Sequence, residues 1–203
     1  MQTGQKIEIS EKECMLIMKT KLPPGQKAVK RIIPLHIGSV PKFDSQNWSL
    51  TIDGEVEKPL TLKWHDVLSL PTIVSISDFH CVEGWSVLDN KWEGVAFKTI
   101  VKMVAPKDNV NYVFFTCEDG YTTSLPLAEL LGDDALLAYK LNDKLLQAEH
   151  GAPLRIIVPK KYAYKSAMWL RKITFTSKQE FGYWESRGYS DTADPWKNDR
   201  YST

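Results

Sequence analysis

Alternating apolar and polar positions predict strands in several parts of the chain. Residues 48–54 alternate in this way and end in the turn dipeptide Asp53-Gly54. Residues 112–117 are rich in aromatic and β-branched side chains, and residues 121–125 are predicted as their hairpin partner across the polar turn Glu118-Asp119-Gly120. The pattern also predicts strands around Val74, Ile76 and Phe79, and at residues 135–141, 154–158 and 173–176.

Apolar residues at helical spacing are confined to short stretches. Residues 60–70 are predicted as a short helix that Pro71 ends. Residues 95–104 and 127–131 are predicted as two further short helices. Strands interleaved with short helices at irregular intervals predict one α+β domain with a mixed, mostly antiparallel sheet.

The two ends of the chain depart from these patterns. Prolines and glycines interrupt residues 1–47, which we therefore predict to be an N-terminal arm packed on a domain of residues 48–203. After residue 178 the chain is rich in Trp, Tyr, Gly, Asp and Arg. Because this composition is too aromatic for disorder, an ordered tail packed on the domain is expected.

Composition and charge limit the classes of function. Of the 203 residues, 26 are basic and 25 acidic, and their even distribution argues against a nucleic-acid binder, which usually clusters its basic residues. No apolar run approaches the roughly 18 residues that a membrane span requires. Residues 1–10 carry no hydrophobic signal core. We therefore expect a cytoplasmic protein with no membrane span and no nucleic-acid partner.

Cys81 is the strongest candidate for chemistry. It follows a strand-like segment, stands beside His80 and enters a polar loop containing Gly84, so a rigid scaffold would hold a thiol that still reaches a ligand. A thiolate is a soft ligand for zinc, copper or other thiophilic metals. The chain offers few further soft ligands, Cys117 and a histidine, so most ligands of a metal on Cys81 should come from outside the protein.

Other interpretations of Cys81 remain open. The chain has no G-x-G-x-x-G after a strand, no phosphate-binding G-x-x-x-x-G-K-[ST], no H-E-x-x-H and no G-x-S-x-G. A cysteine protease would pair Cys81 with His150, although no spacing supports it. A non-enzymatic zinc-binding or scaffold domain would use Cys81, Cys117, His80 and His150.

The second half of the chain contains groups that suit an anionic cofactor. The segment from His150 to Arg155 contains a histidine, a glycine and a guanidinium, which binds phosphate through paired hydrogen bonds. Lys165-Ser166-Ala167 adds an ammonium, a hydroxyl and accessible backbone N–H groups. Equally, Arg155 could pair with a carboxylate and His150 with a loop carbonyl.

Six segments in series resemble one known family. They are Trp48-x-Leu-x-Ile-x-Gly-x-Val-x-x-Pro-Leu, Asp78-Phe-His-Cys-Val-Glu-Gly-Trp-Ser, Trp92-x-Gly-Val, Asp119-Gly-Tyr-x-Thr-Ser-Leu-Pro-Leu, His150-Gly-x-Pro-Leu-Arg and Lys165-Ser-Ala-x-Trp-Leu. In this order they resemble the molybdopterin-binding oxidoreductase domain of sulfite oxidase, plant-type nitrate reductase and the catalytic subunit of periplasmic methionine sulfoxide reductase. The terminal Gly182-Tyr-Trp-Glu-x-Arg-Gly-Tyr resembles the small stand-alone prokaryotic members.

The resemblance implies a sulfite-oxidase-type fold and a specific cofactor. One molybdenum, or tungsten, would be held by the dithiolene of a molybdopterin, with Cys81 as the single thiolate ligand from the protein and with no haem or flavin. The residues that match cofactor-contacting positions, or lie next to them, are His36, His80, Cys117, His150, Arg155, Lys165, Ser166, Ala167 and Met168.

The activity implied is two-electron oxo-transfer on a small substrate, which would be a sulfoxide, an N-oxide or a sulfite-like oxyanion. Tyr121 and Asp119 are candidates for orienting the substrate or relaying protons, although Asp119 also suits a plain turn. Sulfite oxidases carry arginines soon after the ligand cysteine, whereas Val-Glu-Gly-Trp-Ser follows Cys81, and Met168 stands where many relatives have lysine. Without haem, flavin or dimerisation domains, a monomer that exchanges electrons with a separate protein is expected.

Overall fold

Two β-sheets form the framework of the protein in a computed structural model that describes residues 22–202. Within that range the strands, in chain order, are β1 (Lys27–Ala28), β2 (Ser49–Gly54), β3 (Leu60–Lys63), β4 (Thr72–His80), β5 (Trp85–Ala96), β6 (Tyr112–Cys117), β7 (Thr122–Pro126), β8 (Leu136–Leu141), β9 (Lys144–Leu145), β10 (Arg155–Ile157) and β11 (Leu170–Thr176).

Short helices connect these strands. The α-helices are α1 (Trp64–Ser69), α2 (Phe97–Val104) and α3 (Leu127–Leu130), and 3₁₀ turns occur at Ala148–His150, Ala163–Lys165, Glu185–Arg187 and Pro195–Lys197. None of the helices in the described part of the chain has the length and apolar character that a membrane crossing requires.

Both sheets are mixed and mostly antiparallel, as predicted. In the first sheet, β5 pairs with β1 near its start and with β8 near its end, and β4 pairs with β5 along most of its length. Strand β8 also pairs with β10 and β9. The second sheet has the order β3-β2-β11-β6-β7. Parallel pairing joins β1 to β5 and β11 to β2, and the other strand pairs are antiparallel. The predicted α+β fold class is therefore confirmed.

The predicted helix at residues 60–70 is wrong in its first half. Leu60–Lys63 forms strand β3, which pairs antiparallel with β2, and the helix begins only at Trp64. Leu62 is the buried residue of β3, and its neighbours on both sides are exposed. Four residues are too few for a sequence pattern to separate this alternation from a helical turn, and the pairing with β2 decides the outcome.

The pattern predicts no element for residues 85–94 of the twelve-residue strand β5, yet β5 lies in the middle of the first sheet. Val95 and Ala96, predicted as the start of a helix, end this strand, and the helix begins at Phe97. The polar residues Ser86 and Asn90 of β5 are buried, which hides the strand from an analysis based on hydrophobicity. The Asn90 side chain donates a 2.8 Å hydrogen bond to the Val87 carbonyl. The loop after Cys81 is consequently short, because β5 begins at Trp85.

The main core lies where α2 packs against strands of both sheets. Phe97 of α2 stacks on Phe175 of β11 and makes an edge contact with Phe115 of β6. All three rings are fully buried, and burying one such side chain stabilises a fold by about 1.5–3 kcal/mol. This core includes residues of β6 and β10, whereas Phe79 at the end of β4 belongs to a second, smaller core. The candidate site lies near the ends of these three strands.

Both terminal segments reach the loop that follows β4. On the N-terminal side, Lys27 and Ala28 of β1 pair with Trp85 and Ser86 at the start of β5. On the C-terminal side, Arg200 donates a hydrogen bond to the carbonyl of Val82. The Cys81 loop therefore lies between the two ends of the described chain.

Candidate functional site

A cavity of about 350 Å³ opens beside Cys81, within the size range of small-molecule and cofactor sites. Its wall is built from the loop after β4, the segment Ile32–Ile37, the residues before and after β10, and the aromatic tail. Most of the residues singled out in the sequence lie in this wall: His36, Cys81, Asp119, Tyr121, His150, Arg155, Ser166, Ala167 and Met168. Trp85, four residues after Cys81, lines it as well.

Cys81 is held tightly by its own loop. Its backbone N–H donates to the Trp85 carbonyl at 2.8 Å, and its carbonyl accepts from the Gly84 N–H at 3.0 Å. Gly84 has a φ of +94°, which favours glycine because it has no Cβ. Cys81 is 5% exposed, and burial raises the pKa of its thiol to about 11. A free, neutral sulfur therefore lines the cavity, and a soft metal ion would displace its proton.

Arg155, at the start of β10, brings a buried guanidinium to the cavity. Its two terminal nitrogens donate to the carbonyls of His150 at 3.0 Å and of Ser166 at 2.7 Å. Its Nε is buried and has no hydrogen-bond partner among the described residues. The pKa of Arg155 falls to about 10 because of burial, so the group remains charged at neutral pH. A buried donor without a partner at a cavity wall suits a bound acceptor such as a phosphate or pterin oxygen.

His150 also lines the cavity and, like Arg155, has a buried nitrogen without a hydrogen-bond partner in the described part of the chain. Its Nδ1 is buried and unpartnered within residues 22–202. Burial, followed by the nearby charge of Arg155, lowers the pKa of His150. Gly151 next to it has a φ of +105°, and a Cβ there would lie 2.7 Å from the Cβ of Met168. The chain can approach this closely only with glycine at position 151.

The structure does not bring the ammonium of Lys165 to the cavity. The Lys165 side chain is fully buried, donates to the Ser124 carbonyl at 3.0 Å and forms an ion pair with Glu185 of the tail. Burial lowers the pKa of Lys165, and the charge of Glu185 opposes that effect. Ser166, Ala167 and Met168 form this part of the wall instead. The Ser166 hydroxyl accepts from the Val158 N–H at 3.0 Å.

His80 and Cys117 lie behind the cavity wall and not in it. His80 is buried, and its Nδ1 lies 2.8 Å from the Ser86 hydroxyl. Cys117 is 4% exposed and belongs to the main core. Within residues 22–202, no three His, Cys, Asp or Glu side chains are arranged to hold a metal ion. The alternative of a zinc site made from Cys81, Cys117, His80 and His150 is therefore not supported.

Asp119 and Tyr121 also line the cavity, and they lie in the turn between β6 and β7. An Asp119 carboxylate oxygen accepts a 3.1 Å hydrogen bond from the Tyr121 N–H, so this residue does shape the turn. The Tyr121 hydroxyl donates to the Tyr164 carbonyl at 2.6 Å. Burial raises the pKa of Tyr121 well above its ordinary value. Tyr121 therefore presents a neutral phenol whose proton is directed at a backbone carbonyl.

Sequence reasoning missed several residues of the cavity wall. These are Ile32, Ile33, Pro34, Leu35, Ile37, Val82, Glu83, Glu149, Ala163, Tyr164, Trp184 and Tyr189, together with Phe79 at the end of β4. Phe79, Val82 and Glu83 belong to the segment 78–86, and Trp184 and Tyr189 to the segment 182–189, so the quoted motifs contain these five residues without marking them as wall residues. The other residues lie outside the quoted segments and had no signal in the sequence.

The chain matches the family model described as "Oxidoreductase molybdopterin binding domain" over residues 37–184. It is 42% identical over 183 residues to an uncharacterized oxidoreductase, YuiH, of Bacillus subtilis, with 90% of this chain and 92% of that protein covered. It is 35% identical over 166 residues to the protein-methionine-sulfoxide reductase catalytic subunit MsrP of Campylobacter jejuni, covering 73% of this chain and 56% of that protein.

A third relative and a solved structure agree with these matches. The putative protein-methionine-sulfoxide reductase subunit YedZ1 of Azospira oryzae is 30% identical over 151 residues, covering 74% of this chain and 57% of that protein. The sulfane dehydrogenase SoxCD of Paracoccus pantotrophus shares the fold, with a TM-score of 0.63 at 22% identity over 68% of this chain and 40% of that one. The resemblance seen in the sequence is thus confirmed, and the chain belongs to the family of oxidoreductases with a molybdopterin-binding domain.

Proposed function

We propose that this chain is a molybdenum-dependent oxidoreductase of the sulfite oxidase type that transfers one oxygen atom, with two electrons, to or from a small substrate. One observation carries the proposal: Cys81, Arg155 and His150 line a single cavity, and Arg155 and His150 each have a buried nitrogen without a hydrogen-bond partner among the described residues. The thiol suits a soft metal, and the two nitrogens suit an anionic organic group. These donors fit a molybdopterin that carries its own sulfur ligands.

Specific residues would hold that group. Cys81 would bind the metal, which is molybdenum or, by the same ligand chemistry, tungsten. Arg155 and His150 would contact the pterin or its phosphate, together with the backbone of residues 166–168. His36 would contact the pterin from the N-terminal side, where its ring makes an edge contact with Trp169 at 5.6 Å. The bound group supplies the two-electron oxygen-atom chemistry, and electrons come from a separate protein, with no haem or flavin in this chain.

The charges around the cavity favour a neutral substrate. The wall contains the carboxylates of Glu83, Asp119 and Glu149, while the Arg155 guanidinium already donates to two backbone carbonyls. An oxyanion such as sulfite would approach against these carboxylates. A neutral sulfoxide or N-oxide meets no such repulsion and therefore fits the cavity better than sulfite. Its reduction consumes two electrons and two protons and releases water. The sulfoxide reductase activity in the name of one relative points in the same direction.

The walls suit such a substrate in two further ways. Ile33 and Leu35, which are 45% and 56% exposed, place apolar surface at the cavity and can hold the apolar part of a thioether. Trp85 and Trp184 reduce the water around the reacting atoms. Asp119 and Tyr121 remain the candidates for orienting the oxygen of the substrate or passing a proton to it, and the Tyr121 hydroxyl would have to release the Tyr164 carbonyl to do so.

Metal and pterin analysis tests the proposal. Protein made in a host that synthesises the cofactor is expected to contain about one molybdenum per chain by elemental analysis. The released, oxidised pterin should fluoresce, and reduced electron donors should be oxidised faster with sulfoxides or N-oxides than without. Stoichiometric zinc without pterin would refute the proposal.

Glu83→Gln tests the preference for a neutral substrate. Removing one carboxylate from the wall should lower KM for sulfite, by up to about fivefold, because one solvated charge contact has only a modest effect. The KM for a neutral sulfoxide should stay nearly constant. Glu57→Gln removes an exposed carboxylate outside the cavity wall and is the matched control. Equal changes in KM for sulfite and for the sulfoxide would show that the charge of Glu83 does not select between the two substrates.

A further inference from the structure

The loop that carries Cys81 is held from both ends of the described chain. Within the loop, the Gly84 N–H donates to the Cys81 carbonyl at 3.0 Å. From the N-terminal side, Gln26 Nε2 donates to the same carbonyl at 3.0 Å. From the tail, Arg200 donates to the carbonyl of Val82. The residue proposed to bind the metal and the residue after it thus each accept a hydrogen bond from outside the loop.

Gln26 connects the loop to the strand behind it. Its side-chain oxygen accepts a 3.0 Å hydrogen bond from the Ser86 hydroxyl, which also lies 2.8 Å from Nδ1 of His80. Gln26, Ser86 and His80 are all buried. Because buried polar groups with satisfied partners are held in one arrangement, this chain of bonds defines where the Cys81 carbonyl lies.

Arg200 is held in place by the tail and by the ring of Tyr162. Its Nε donates to Asn198 Oδ1 at 2.8 Å, and its guanidinium carbon lies 5.8 Å from the centre of the Tyr162 ring. A Cβ at Gly25 would lie 3.1 Å from Arg200 Nη2, so a glycine gives the guanidinium room. A charged hydrogen-bond donor is therefore fixed against the backbone next to Cys81.

We propose that Gln26 and Arg200 are positioning residues that fix the orientation of the Cys81 thiolate toward the metal, and that the Arg200 charge raises the reduction potential of that metal. The proposal rests on the molybdenum site proposed above. Groups that hydrogen-bond to a metal ligand or its backbone orient the ligand and tune the metal. A nearby positive charge stabilises the reduced centre, which carries more negative charge. Gln26 is neutral, so its contribution is to geometry alone.

The test compares variants of the metal-loaded protein by potentiometric titration followed by EPR spectroscopy. Arg200→Met should lower the midpoint potential and alter the EPR spectrum, whereas Arg200→Lys, which keeps the charge, should retain most of the potential. Gln26→Met should alter or split the spectrum with a smaller change in potential. Lys197→Met removes a cation of the same tail whose Nζ lies 3.8 Å from Asp194, and it should match the wild type.

Each outcome separates this inference from the proposed function. Wild-type protein without molybdenum would refute the proposed function. The inference would be refuted if molybdenum-loaded Arg200→Met had the wild-type midpoint potential and EPR spectrum. It would also be refuted if its midpoint potential shifted by no more than that of Lys197→Met. Loss of metal from an Arg200→Met protein that still unfolds cooperatively would support it, provided that Lys197→Met keeps its metal. If Arg200→Met does not fold, Arg200→Lys and Gln26→Met decide the question through their spectra.

Discussion

Cys81→Ser is expected to reduce oxidoreductase activity by far more than about 100-fold. Loss of a group that merely supports a metal ligand already lowers metal affinity or activity by about 10–100-fold. This substitution removes the single ligand that the chain itself is proposed to supply. A serine hydroxyl is a poor ligand for a soft metal because it holds its proton far more tightly than a thiol. The measurements are turnover of a sulfoxide with a reduced electron donor and the molybdenum content per chain.

The fold of the Cys81→Ser protein should survive. The substitution changes one atom at a cavity wall, and the backbone hydrogen bonds of the loop remain. The midpoint of thermal unfolding, compared in metal-free protein, should therefore change little. Cys117→Ala provides the comparison, since Cys117 lies in the core and not in the cavity wall. It should lose about 1 kcal/mol of stability and keep its molybdenum. Wild-type activity in Cys81→Ser would remove this thiol from the mechanism.

Lys165→Met is expected to lower the free energy of unfolding by about 3–5 kcal/mol, because it leaves a buried carboxylate without its partner. The Lys165 and Glu185 side chains are 0% and 1% exposed, and they form an ion pair that joins the tail to the domain. The Thr123 hydroxyl donates to the same Glu185 oxygen at 2.5 Å. Urea-induced unfolding followed by tryptophan fluorescence measures the effect.

Two further variants give this expectation its controls. Lys165→Met combined with Glu185→Gln removes both charges and should recover much of the lost stability. Lys98→Met removes a cation from the exposed pair with Asp133 and should have little effect, since exposed pairs contribute little. If the double variant also keeps its molybdenum and pterin, Lys165 holds the tail and not the cofactor. Loss of the cofactor from a stable double variant would instead restore the role that the sequence predicted for Lys165.

Prediction from the sequence worked best where the pattern was long and local. The hairpin of β6 and β7 was recognisable because a run of aromatic and β-branched residues precedes a polar Glu-Asp-Gly turn and a second strand-like segment follows it. Strand β5 was not, because Ser86 and Asn90 are polar in sequence yet buried in the sheet, where hydrogen bonds satisfy them. The helix prediction fails at residues 60–63 because so short a segment takes its conformation from the strand beside it, here β2, and not from its own sequence pattern.

Residue types in a fixed order are enough to identify the family and the α+β class and to draw attention to Cys81 as the candidate metal ligand. Which of the candidate groups meet depends instead on how the two sheets pack. Arg155 and His150 line the cavity and each have a buried nitrogen without a partner among residues 22–202, whereas the Lys165 ammonium lies outside the cavity wall and pairs with Glu185, 20 residues further along the chain. The contacts of Gln26 and Arg200 with the Cys81 loop span 55 and 118 residues. No local pattern encodes such contacts, since they exist only after the two sheets have packed and both ends of the described chain have closed over one loop.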